Sequence, residues 1–157
     1  RFSSAQFEMV RLGIGMYGYS SNPIFKRKLQ PSIFWKSSIS QIKTIQIGES
    51  VSYNCSFTAD KEMQIAIIPV GYADGFRRSL SNGNGSVFIN GSYCKVVGRV
   101  CMDMIMVDVT NVDVSNGTSV EIIGNNQTME NFAGQMDTIP YEVMTSFSRR
   151  VHRIYLS

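Results

Sequence analysis

Three tyrosines, Tyr53, Tyr72 and Tyr141, stand in short strings whose residue types suit chemistry better than packing. The strings are Val51-Ser52-Tyr53, Val70-Gly71-Tyr72-Ala73-Asp74-Gly75 and Ile139-Pro140-Tyr141-Glu142, and a fourth, Gly98-Arg99-Val100-Cys101-Met102-Asp103, lies between the last two. A phenol can give or take a proton, a guanidinium can hold an anion, and a carboxylate can orient either. For a phenol to remove a proton near neutral pH its pKa must fall from about 10, which requires a nearby cation or strong donors. Arg77, Arg78 and Arg99 are the candidates for that task. A strand tyrosine is ordinarily a half-buried packing residue, so position has to single these out. Tyr53 sits where the alternation of Ile42 to Val51 stops, and Tyr72 lies in a turn sequence directly after an apolar run, so both rings should project from a sheet end.

Arg11 is different, because it interrupts the apolar run Phe7 to Tyr17. An unpaired buried guanidinium is very costly, so Arg11 must be paired or face a polar cavity. The glycines just after it expose backbone N–H groups suited to a phosphate. Pattern alone turns Val100 and Met102 inward, and turn chemistry accounts for Asp74.

The elements that must position these groups are mainly strands. Phe7 to Tyr17, with glycines at 13 and 15, reads as a buried strand leading into a Gly-rich turn, the end of an α/β unit. Ser20 to Pro31, with Asn22-Pro23 and Lys26-Arg27-Lys28, reads as an irregular connection, which places a boundary near Gln30 and divides the chain into residues 1–30 and 31–157. Beyond it the apolar period is two: Ile33, Trp35, Ile39, Ile42, Ile45 and Ile47, then Met63–Ile68, Val87–Asn90, Cys94–Val97, Ile105–Val109 and Val120–Ile123. These runs are separated by Asn-Gly and Gly-Asn turns, and Val87 to Val97 folded around Asn90-Gly91 is the clearest hairpin. Even spacing of short strands predicts a mainly β fold of the sandwich or small-barrel kind. Two short helices are expected, one capped by Thr128 and running to about Ala133, the other over Tyr141 to Phe147, with Arg150 to Leu156 as a closing strand.

Composition narrows the function. A chain of 157 residues with 43% apolar and 17% charged residues builds a globular core, which excludes the disordered and fibrous classes. Fifteen Lys and Arg against twelve Asp and Glu, with no long run of like charge, argue against nucleic acid as a partner. No apolar stretch is long enough for a membrane span, and Arg1-Phe2-Ser3-Ser4 lacks the design of a secretion signal, so the expected location is cytoplasmic. Three scattered cysteines and one histidine, His152, provide neither a disulfide framework nor a metal site. The first residue is not Met, and the chain is expected to be a piece of a longer one.

In order and spacing, the four strings together with Arg11-Leu12-Gly13-Ile14 resemble the alanine racemases, pyridoxal-phosphate enzymes that interconvert L- and D-alanine. The resemblance runs from Val10 to Tyr155 and implies the last strand of a cofactor-carrying (β/α)8 barrel followed by the family's C-terminal β domain. It implies that Tyr53 is the acid/base on one face of the substrate, while the lysine that bonds the cofactor on the other face lies in the barrel, outside this chain. Arg11 resembles the arginine at the cofactor's pyridine nitrogen, where a cation in place of an acid weakens the electron sink and discourages escape reactions. Gly13 and Ile14 resemble the backbone donors to the cofactor phosphate, and Tyr141 the phenol that binds it. Met102 would offer its N–H to the substrate carboxylate, with Asp103 beside it, and Tyr72, Arg78, Arg99, Asp103 and Ile139 match the substrate entrance. Removing a proton from one face and returning one to the other needs two bases, of which this chain supplies one.

The family commonly has glycine after the catalytic tyrosine. Here Asn54 stands in that place, a residue that tolerates positive φ. The implied partners are alanine, the chain's own N-terminal barrel and a second copy in a head-to-tail homodimer; the implied role is supply of D-alanine for bacterial cell-wall synthesis, with no turnover expected of this piece alone. Some bacteria fuse such a racemase to a cell-wall ligase. The rivals are the β domain of a serine or broad-specificity racemase, that of an amino-acid decarboxylase, a non-catalytic β-barrel binding module and an inactive structural domain.

Overall fold

Strand periodicity governs most of what the computed structural model shows; it describes residues 6–156, so the opening Arg1-Phe2-Ser3-Ser4 lies outside the described residues. The chain forms two compact units, one ending at Ile33 and the other beginning at Phe34. Among the described residues no helix is long and apolar enough to cross a membrane.

The first unit departs from the expected strand. Residues 7–13 are irregular and exposed, with Leu12 at 72% exposure, and the chain then makes a 3-10 turn over Ile14–Tyr17. A strand exists only against an edge that takes its N–H and C=O groups, and no described residue offers one to this run. Gly18 ends the turn at φ 85°, where an added Cβ would stand 1.9 Å from the Gln30 carbonyl oxygen. The segment expected to be irregular instead holds one helical turn, α1 (Pro23–Lys26), because the Asn22 side chain accepts the Ile24 N–H at 3.0 Å and Pro23 fits the first helical position.

The second unit is mainly β. Its described residues form the strands β1 (Trp35–Ser38), β2 (Gln41–Ile45), β3 (Ser50–Val51), β4 (Phe57–Thr58), β5 (Met63–Ile68), β6 (Ser86–Ile89), β7 (Ser92–Lys95), β8 (Ile105–Asp108) and β9 (Ser119–Ile123). They pair antiparallel in the orders β1-β9-β6-β7, β2-β5-β8 and β3-β4. Among the described residues a single bridge, between Val96 and Val107, links the first two sheets, and no closed barrel forms. The β6–β7 hairpin turns on Asn90 and Gly91 at φ 42° and 85°, the paired positive values that a type I′ turn requires.

Two helices follow, α2 (Met129–Gln135) and α3 (Pro140–Ser146). Thr128 caps α2 by accepting the Asn131 N–H at 3.1 Å. The expected closing strand is absent: residues 152–156 are irregular and exposed, and Arg150 is drawn into ion pairs instead of a ladder. Among the described residues two clusters stand out in the core. Trp35 meets Phe76, Phe132 and Phe147 edge-on at centroid distances of 6.4, 6.0 and 5.2 Å, and Ala59, Met63, Ile65, Val97 and Met106 form a second cluster. The first cluster anchors the segments that leave toward the candidate site, since Phe76 closes the Tyr72 loop and Phe147 ends α3.

Candidate active site

Tyr53 occupies the turn between β3 and β4, and its ring is 66% exposed. It projects from a sheet end, as the sequence implies. Ser52 beside it is bound to the backbone of Arg99: its hydroxyl donates to the Arg99 carbonyl at 2.9 Å and accepts the Arg99 N–H at 3.0 Å. Gly98 permits this approach, because at φ 67° an added Cβ would lie 2.6 Å from the Ser52 Cβ. Asn54 sits at φ 58° and ψ 31°, in the left-handed region that asparagine tolerates.

The Arg99–Asp103 segment holds the Tyr72 loop in turn. Tyr72 N–H donates to the Cys101 carbonyl at 3.0 Å and Ala73 N–H to the Met102 carbonyl at 3.1 Å. Gly71 must be glycine here, since a Cβ would stand 2.3 Å from the Met102 carbonyl oxygen. Among the described residues the Met102 N–H finds no acceptor, and its side chain is exposed. Asp74 is only 7% exposed, and one of its oxygens accepts the Gly71 N–H at 2.8 Å, as turn chemistry predicts.

Arg150 completes this arrangement, and the sequence reading missed it. Its Nε lies 2.7 Å from Asp74 and its Nη2 2.5 Å from Asp103, so one guanidinium joins the Tyr72 loop to the Met102 segment. The hydrogen bond to Asp103, with the charge of both carboxylates behind it, raises the Arg150 pKa above its ordinary value. The three residues are far apart in sequence, and no local pattern connects them.

Arg78 and Ile139 also belong to this region. Arg78 begins a 3-10 turn whose Ser81 hydroxyl accepts the Val100 N–H at 3.0 Å. Ile139 and Tyr141, both exposed, stand at the start of α3, which is tied down by a 2.7 Å ion pair between Glu142 and Arg77. The hydrogen bond from Thr138, and then that from Arg77, hold the Glu142 carboxyl below the usual carboxylate range. Arg77 is therefore occupied by Glu142, which corrects its place among the cations offered to a phenol. Beside Tyr53 an open groove of about 670 Å³ runs along β2, β5 and β8, lined by Lys43, Ile45, Ile67, Cys101 and Met104 among others.

In the first unit Arg11 is exposed and makes no ion pair with any described residue. Gly13 and Ile14 lie at the start of a 3-10 turn, where N–H groups have no partner within the turn. Within this unit a cation and two unfilled backbone donors offer the chemistry that an anionic, phosphate-bearing cofactor needs.

Comparison with known proteins shows the family. The family model for the alanine racemase C-terminal domain matches residues 33–155. An alanine racemase of Staphylococcus epidermidis is 44% identical over 93% of this chain and 40% of its own length. The solved alanine racemase of Clostridium difficile superposes with a TM-score of 0.85 at 40% identity, over 94% of this chain and 40% of that one. The alanine racemase of Bartonella henselae, solved with covalently bound pyridoxal phosphate, gives a TM-score of 0.84 at 36% identity over 92% and 40%. This chain thus spans about 40% of the length of the relatives it matches. With its C-terminal domain matched almost end to end, the chain belongs to the alanine racemase family.

Proposed function

We propose that this chain supplies one of the two proton-transfer groups of an alanine racemase, the phenol of Tyr53, together with the entrance and the carboxylate-binding edge of the site. The observation that carries this reading is the exposed Tyr53 ring on a turn fastened to the segment that presents the unfilled Met102 N–H. A substrate carboxylate accepting that N–H would hold its Cα at a set distance from Tyr53. Tyr72, Arg78, Arg99, Asp103 and Ile139 frame the approach, and Arg99 and Arg78 draw the anionic end inward.

Pyridoxal phosphate, bonded to a lysine supplied outside these residues, would acidify the substrate's Cα–H. Arg11 would meet the pyridine nitrogen, and Gly13, Ile14 and Tyr141 the phosphate. Tyr53 moves a proton at Cα on one face only, so the opposite face needs a second base. The reading includes a head-to-tail homodimer in which one subunit's Tyr53 serves the other's cofactor, residues 1–30 as the end of the barrel, a cytoplasmic location and D-alanine for cell-wall synthesis as the product's use.

The test uses the full-length enzyme carrying Tyr53→Phe, with exchange of the alanine Cα proton into heavy water followed for each enantiomer. Loss of a positioned acid/base costs about 10²–10⁴-fold. Exchange from L-alanine should fall by that factor while exchange from D-alanine, served by the opposite base, persists. Equal losses from both enantiomers, or none, would refute the assignment.

A further inference from the structure

We propose that Ser52 is the positioning residue for Tyr53: a strained serine, locked onto the backbone of Arg99, that sets where the phenol points. This rests on the reading of Tyr53 as the acid/base and adds the device that aims it.

Ser52 has φ 71° and ψ 177°. That region is essentially reserved for glycine, and a residue with a Cβ persists there only when its surroundings over-determine it. The strain continues past the tyrosine, with Asn54 at φ 58° and Cys55 at φ 46°. Of residues 52–55 only Tyr53 avoids positive φ. An unconstrained chain would relax each of these dihedrals, and the ring would swing with them.

The Ser52 hydroxyl opposes that relaxation. It donates to the Arg99 carbonyl and accepts the Arg99 N–H, exchanging both bonds with one residue as a neighbouring strand would. Gly98 closes the other side, where a Cβ would collide with the Ser52 Cβ at 2.6 Å and press on the Val51 carbonyl at 3.1 Å. The arrangement also fixes a distance within the site. Arg99 is three residues from Met102, and the intervening Cys101 carbonyl is held by the Tyr72 N–H. Through Ser52 the phenol and the carboxylate-binding N–H share one backbone segment.

Alanine at position 52 carries the same penalty at that dihedral but makes neither bond, so the turn should relax. Glycine also loses the bonds but takes the same dihedral freely. In the full-length enzyme, Ser52→Ala should lower Cα proton exchange from L-alanine by about a hundredfold, the cost of roughly 1 Å misplacement, at unchanged exchange from D-alanine and unchanged cofactor absorbance. Ser52→Gly should show the same enantiomer-selective loss at smaller size, and it carries the test if the alanine variant fails to fold. Parallel losses from both enantiomers together with cofactor would show a merely structural serine and overturn the proposal, as would unchanged exchange in both variants. Tyr53→Phe measured alongside separates the two ideas. If it alone shows the selective loss, only the role of Ser52 fails; if it retains exchange from L-alanine, the reading of Tyr53 fails first.

Discussion

Two hairpins of this domain reverse the chain in opposite styles. β6 and β7, four residues each, meet through Asn90-Gly91, a pair suited to positive φ, and alternate buried and outward side chains around the turn. β3 and β4 have two residues each and are joined by Ser52 to Ser56, where serine, asparagine and cysteine all take positive φ and the tyrosine between them points to solvent. Reversing a chain needs only the first arrangement. The second spends stability on direction, and what it directs is the phenol.

The strongest way to break this contrast is to strike the buried face of the first hairpin. Ile89→Ala should cost about 2–5 kcal/mol in urea denaturation, because Ile89 is fully buried. Proton exchange per folded molecule should not change, and a loss of exchange without a loss of stability would erase the division between scaffold and site. A smaller effect comes from the turns themselves. Asn54→Ala and Asn90→Ala should each cost about 1–2 kcal/mol, the penalty for a Cβ-bearing residue without asparagine's local bonding at left-handed φ. Only the first should also lower exchange from L-alanine, and Asn54→Gly should restore stability.

The smallest effect concerns the thiol of β7. Burial first, and the charge of Asp108 second, push Cys94 from its ordinary 9.0 up to about 11. Its raised pKa means the fold favours the neutral thiol. That contribution is fully present below pH 9.0 and is lost as pH rises through about 11. The melting temperature should therefore fall across that window, and less so in Cys94→Ala.

The two hairpins also differ in how far they could be read from sequence. Asn90-Gly91 between alternating apolar residues is a local signal, and strands, turn and register follow from it. Tyr53 stands out because the alternation stops there, yet Ser52 gives no hint of its dihedral, which exists only because Arg99 lies alongside, 47 residues on. Arg150 was equally hidden. Its neighbours alternate like a strand, and its partners Asp74 and Asp103 are recognisable only once the loops are folded. The run Phe7 to Tyr17 failed for a related reason: apolar character proposes a strand, and only a neighbouring edge makes one.

Trp35 is the chain's single tryptophan, and three phenylalanine edges surround its indole. Two of them close the Tyr72 loop and end the helix that carries Tyr141. The domain thus holds its own optical reporter: the indole's emission colour and quenching respond to loosening behind the tyrosines before either ring is touched.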